Sequence, residues 1–303
     1  MRRKYGVILI IAAVLALICC MPAAAHNVWL NPANHFPQVG ETVDIGIGWG
    51  HSYPAGRVDQ EMKDGRLEEI LAVGPDGLPV ELTKVSADLY QLKVEKAGAY
   101  LIAASVKSGF FTMTPKGRKF GDKKEVADAI KCTNYHIGAK TVLIAGGKAK
   151  NLEHVTGQTL ELIPLTDPGN LNAGNAFSFK VLFEGKPVTG VSIKAKYAGF
   201  DEKNKKDRPA PPNGERPMPP NGERPAPDKE MAKPNKEGDR PDQERMKRKP
   251  YPCETETDAA GMATITPTQA GYWMVSFSNT SGYPDAAVCD ECRYSMAFTL
   301  EVK

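Results

Sequence analysis

The chain has 303 residues, 41% hydrophobic and 25% charged, with 39 lysines and arginines against 36 aspartates and glutamates, a formal net charge of +3. Arg2, Arg3 and Lys4 account for that excess, so the rest of the chain is close to neutral. No overall basic field is left to attract nucleic acid, which is excluded as a partner class, and the length suits two domains of ordinary size.

Residues 1–25 begin with those three cations, continue as an apolar run from Tyr5 to Ile18, and end in Pro22-Ala23-Ala24-Ala25. A basic head, a short apolar core and a small-residue end are the parts of a cleavable signal peptide. The core is shorter than the ~20 residues a spanning helix needs, and a proline follows it. The expectation is a periplasmic protein that begins at His26 and does not span the membrane after cleavage. Four cysteines lie beyond residue 25, Cys132, Cys253, Cys289 and Cys292, and an oxidising compartment lets them pair in three ways.

From Thr42 to Trp49, apolar Val43, Ile45, Ile47 and Trp49 alternate with polar or small residues, the period of a half-buried strand. Similar segments at 69–73, 89–94 and 99–106 are separated by turn signals such as Gly74-Pro75-Asp76-Gly77. One short helix is expected at about 123–131, where Val126, Ala127 and Ile130 fall at helical spacing. A second strand series runs from Leu160 through 177–183, 191–197, 262–265 and 272–277 to 294–302, and its even spacing predicts a small antiparallel sandwich. The chain therefore reads as all-β, with two sandwich-like domains over 26–150 and 151–303. The second is interrupted at 201–250, a stretch with no aromatic residue, many prolines and mixed charge, in which Asn213-Gly214-Glu215-Arg216-Pro217 returns as Asn221-Gly222-Glu223-Arg224-Pro225. Such a composition cannot bury a core and is expected to be disordered.

Cleavage after Ala25 would leave His26 with a free α-amine beside its imidazole, two nitrogens able to close one chelate ring on a metal once deprotonated. If residues 27–31 form a strand and 42–50 run back against it, His51 arrives beside His26. His136 follows the expected helix and could complete the site, whereas His35 lies in the connecting loop and His154 near the domain boundary. An amine with imidazoles at tetragonal geometry suits copper(II) or nickel(II). Cys289-Asp290-Glu291-Cys292 has metal or redox spacing but lacks a second pair at zinc-ribbon spacing. A disulfide within the last hairpin, or one from Cys253 to this segment, is the expectation. Gly-x-Ser-x-Gly, phosphate-binding loops and His-Glu-x-x-His are absent, so no enzyme is expected.

Ala25-His26-Asn27-Val28-Trp29-Leu30-Asn31-Pro32, Gly50-His51-Ser52-Tyr53-Pro54, Thr112-Met113-Thr114-Pro115-Lys116-Gly117, Pro164-Leu165-Thr166-Asp167-Pro168 and Val181-Leu182-Phe183-Glu184-Gly185-Lys186-Pro187 resemble the extracytoplasmic nickel and cobalt uptake component family. That family was long known only as a domain of unknown function associated with energy-coupling-factor and related nickel transporters. The resemblance covers nearly the whole chain outside the insertion. It implies a periplasmic protein that handles nickel(II) or cobalt(II) for an inner-membrane transporter, with a second domain like a carboxypeptidase regulatory or immunoglobulin-like sandwich. It supports His26 and His51 as ligands, and His136 more weakly. The chain departs from some relatives in lacking a carboxy-terminal membrane helix and in carrying the insertion. Two other readings stay open: a structural or adhesive sandwich without metal, and a copper protein or oxidase that uses an amino-terminal histidine.

Overall fold

The computed structural model of the protein describes residues 27–50, 53, 62–147, 149–200 and 251–303. The expected signal peptide, the 201–250 insertion, His26 and His51 lie outside the described residues. In chain order the strands are β1 (Asn27–Pro32), β2 (Thr42–Gly50), β3 (Leu67–Val73), β4 (Pro79–Val80), β5 (Leu82–Lys84), β6 (Leu89–Lys93), β7 (Gly98–Thr114), β8 (Gly117–Phe120) and β9 (Lys131–Ala145). They continue as β10 (Leu160–Pro164), β11 (Phe177–Phe183), β12 (Lys186–Pro187), β13 (Ser192–Tyr197), β14 (Cys253–Glu256), β15 (Met262–Ile265), β16 (Gly271–Gly282) and β17 (Glu291–Val302).

The described strands form three sheets. One has the order β1-β2-β6-β5, a second β10-β11-β12 with β15 on β11, and the third, nine-stranded, β14-β13-β16-β17-β9-β7-β3-β4 with β8 on β7. The large sheet draws strands from both sides of residue 150. Its halves meet where β17 runs parallel to β9, from Glu291 opposite Thr133 to Thr299 opposite Thr141. That is the one parallel pairing among the described strands, whose other ladders are antiparallel.

Strand β9 shows how the layers stack. Ala139, Leu143 and Ala145 join a core with Val28, Leu30, Val43, Ile45, Leu92 and Ile102. Val142 and Ile144 join a different core with Leu162, Phe177, Phe179, Trp273 and Phe298. Successive side chains of a strand point to opposite faces. The β1-β2-β6-β5 sheet therefore covers one face of the large sheet and the β10-β11-β12 sheet the other. The result is an all-β layered sandwich, as the alternating sequence predicts.

Inside it, Lys140 and Glu161 are buried together, 0% and 1% exposed at the side chain, with Nζ 2.5 Å from Oε1. Glu161 also accepts from Thr156 N and Oγ1 at 2.7 Å each and from Gly157 N at 3.2 Å. Burial pushes the Lys140 ammonium below its ordinary pKa, and Glu161 opposes that shift.

Two expectations are corrected. The helix over 123–131 is absent, replaced by turns at 123–125 and 127–128. Asp122 Oδ1 accepts from Lys124 N and Glu125 N, and Asp128 has φ 60°. Val126 is buried but Ile130 is 65% exposed, so this segment has no continuous apolar face to stabilise a helix. The disulfide joins Cys132 to Cys289, with Cα atoms 4.9 Å apart, and leaves Cys253 and Cys292 as thiols. Cys292 sits inside β17, extended and paired with Ser281 on one side and Asn134 on the other. Cys253, on β14, is three strands from β17, roughly 14 Å at ordinary strand spacing and too far to bridge.

Candidate metal centre

β1 and β2 form an antiparallel hairpin whose register runs from Pro32 opposite Ile45 to Asn27 opposite Gly50. The loop that closes it is held by its own side chains. Asn34 Nδ2 and Gln38 N each donate to a Glu41 carboxylate oxygen at 3.0 Å, and these bonds hold that carboxyl below its usual range. His35, 2% exposed, donates from Nδ1 to the Val142 carbonyl at 3.0 Å, and burial lowers its pKa to about 4. It is a neutral structural histidine that ties the loop to β9.

Val28 and Leu30 enter the core beneath the hairpin, whereas Trp29 belongs to a separate small cluster with Tyr53, Met274 and Ala297. The indole lies across Gly48, where an added Cβ would be 2.1 Å from it. Trp29 meets Tyr53 edge to face with centroids 5.8 Å apart. The Tyr53 hydroxyl donates to the Trp273 carbonyl at 3.2 Å, Gly199 N donates to the Tyr53 carbonyl at 3.1 Å, and burial raises the phenol pKa. Of the proposed ligands, His26 adjoins Asn27 in the chain and His51 adjoins Gly50. Both histidines lie outside the described residues. Their described chain neighbours are opposed, and Tyr53, two residues beyond His51, is anchored in the same cluster as Trp29. Sequence reasoning missed these anchors. The available signal was the run Gly46, Gly48, Gly50, which places glycine opposite Asn31, Trp29 and Asn27 in turn.

His136, the third residue expected in the site, lies elsewhere. It is half-buried on β9, pairs in register with Tyr294 and stacks on that ring at 4.6 Å. Phe183 of β11 meets Tyr294 edge to face at 5.0 Å. His136 Nε2 donates to Asn134 Oδ1 at 2.6 Å, and burial lowers the imidazole pKa against the pull of Glu68. β1 packs on the opposite face of the sheet, where Thr299 Oγ1 donates to the Leu30 carbonyl at 2.7 Å. The structure does not bring His136 to the hairpin end, because the even-numbered positions of β9 face the other layer. His154 is half-buried beside Glu153 and Asp167 at a surface depression. Among the described residues, no group of three or more His, Cys, Asp or Glu side chains is placed to hold a metal ion. None of the described helices is long and apolar enough to cross a membrane.

A family model described as Domain of unknown function (DUF4198) matches residues 23–281. The comparison with curated proteins returns no match. Among solved structures, a DUF4785 family protein from Legionella pneumophila subsp. pneumophila str. Philadelphia 1 aligns over 82% of this chain and 52% of its own, at 9% identity and TM-score 0.21. A Salmonella alpha-2-macroglobulin mutant aligns over 92% of this chain and 15% of its own, at 12% identity and TM-score 0.21. The D0-D1 domain of intimin aligns over 91% and 97%, at 11% identity and TM-score 0.22. The chain thus spans about half the length of the first of these structures and a small part of the second.

Proposed function

The chain belongs to the DUF4198 family, and on that premise we propose that it is a non-enzymatic periplasmic protein that binds nickel(II) or cobalt(II) at its processed amino terminus and passes it to an inner-membrane transporter. The observation that carries this reading is the β1–β2 register, which sets Asn27 opposite Gly50, the chain neighbours of His26 and His51. The donor set is the His26 α-amine and imidazole with the His51 imidazole, nitrogen ligands that suit nickel(II), cobalt(II) or copper(II). His136 is left out of the set because its side chain faces the other layer. The metal is cargo here. A site of three nitrogens with its remaining positions open to water releases its ion more readily than a closed cage.

The Trp29–Tyr53 contact supports this reading, because it anchors the chain close to both histidines, and groups that orient a ligand change metal affinity by about tenfold or more. The test is calorimetric titration with nickel(II) of the chain beginning at His26 and of the same chain with one added residue before it. The reading expects one ion per chain in the first and sharply weaker binding in the second. Equal affinities would remove the amine from the site. Absence of binding in both would favour an adhesive or structural sandwich, and copper-dependent peroxide production would favour a copper oxidase.

A further inference from the structure

Seven lysines and arginines fall within residues 107–131, against three acidic residues, in a chain that is otherwise near neutral or negative beyond its first four residues. This segment forms the far ends of β7 and β9 and the whole of β8, beyond the point where the β1-β2-β6-β5 sheet covers their face. Val106 sits opposite Ile137, on that sheet's core, and a bulge follows before Gly109 opposite Tyr135. Two residues on from Ile137 in the same alternation, Tyr135 keeps its side of the sheet.

On that side the pairings place Phe111 opposite Phe120 and Met113 opposite both Arg118 and Lys131. Phe120 is 78% exposed and Met113 40%. The Phe111 ring stacks on Tyr135 at 6.4 Å, with the Arg118 guanidinium 5.4 Å above it. The Glu291 carboxylate is taken by Lys131 at 2.7 Å and by Thr133 Oγ1 at 2.9 Å, and that of Glu125, beside Gly121, accepts from Asp122 N at 3.2 Å. Among the described residues, Lys116, Arg118 and Lys119 have no ion-pair partner. The hairpin turn is firm: Thr114 Oγ1 donates to the Gly117 carbonyl and accepts from Lys116 N, and Gly117 has φ 105°. Phe120 is thus presented on a rigid strand.

We infer that this end of the sheet docks on an anionic phospholipid bilayer, with Phe120 and Met113 entering the headgroup boundary and Lys116 and Arg118 pairing with lipid phosphates; Lys119, opposite Thr112, faces the other side of the sheet and takes no part. An exposed aromatic residue beside cations without ion-pair partners has the two features that hold a peripheral protein to such a surface, apolar burial and charge attraction. This inference is independent of the metal site.

The test is co-sedimentation of the purified chain with vesicles of equal parts phosphatidylglycerol and phosphatidylcholine, compared with phosphatidylcholine alone. Any contribution from residues before His26 is common to all variants. Binding is expected to the anionic vesicles and to fall as salt is raised. Phe120→Ser should weaken it by about tenfold, and Arg118→Glu by about fivefold or more, whereas Lys119→Glu on the opposite face should weaken it less, all with unchanged melting temperature. Equal binding to both vesicle types, or unaltered binding by Phe120→Ser, overturns the inference. So does a concentration-dependent dimer in light scattering that Phe120→Ser abolishes, because the face would then belong to a second copy pairing along the open edge of β8.

Discussion

The two ends of β9 have the same backbone pairing and opposite surroundings. From Ala139 to Ala145 the strand is sealed between layers, and even a lysine is accommodated, because Glu161 is buried with it and accepts three further hydrogen bonds from Thr156 and Gly157. From Lys131 to His136 the strand takes no part in either large apolar core, although Cys132, Thr133 and Asn134 are themselves buried. It is held there by a disulfide, a stacked ring and ion pairs. The sealed end is stabilised by packing into the two apolar cores and the projecting end by cross-links, so different substitutions should weaken each.

The largest effect belongs to the sealed end. Lys140→Met leaves the Glu161 carboxylate buried without its countercharge and should cost about 3–5 kcal/mol by chemical denaturation. The double variant Lys140→Met with Glu161→Leu should recover much of that, since the pair does not outperform apolar packing. Next comes the projecting end. Cys289→Ser opens a link across a sequence separation of 157 residues; chain entropy sets a ceiling of ~5 kcal/mol, of which about 2–4 kcal/mol is ordinarily realised. Hydrogen exchange would sharpen the contrast: amides of 131–136 should lose more protection than those of 139–145.

A third effect depends on pH. The His35 pKa falls from 6.5 unfolded to about 4 folded, with burial as the main cause, so the unfolded chain binds the extra proton between those values. Its stabilising contribution is full above pH ~6.5 and is lost as pH falls towards ~4, by about 3 kcal/mol in total. Denaturation midpoints should fall in that window, and His35→Gln should flatten the slope there.

The hairpin was legible in the sequence because Val43, Ile45, Ile47 and Trp49 alternate and a polar loop of hairpin length precedes them. The parallel β9–β17 pairing was not, since alternation specifies a strand's faces but not its partner 158 residues away. Lys140 reads as a surface residue until Glu161 is known to lie beneath it. Val126, Ala127 and Ile130 match a helix by spacing, but spacing does not reveal whether a face is there to bury. The histidines were visible as metal-binding types. Which side of the sheet each one faces is a property of register, and it separates His136 from the hairpin.

The central claim is that the ion sits at the β1–β2 end, on the face of the sheet away from His136. Nickel(II) titration of the processed chain carrying His51→Ala, beside one carrying His136→Ala, tests it most directly. Affinity should fall roughly tenfold or more in the first, since even residues that only orient a ligand cost that much, and should stay unchanged in the second. An equal or larger loss from His136→Ala would contradict the account and place the ion on the other side of the sheet.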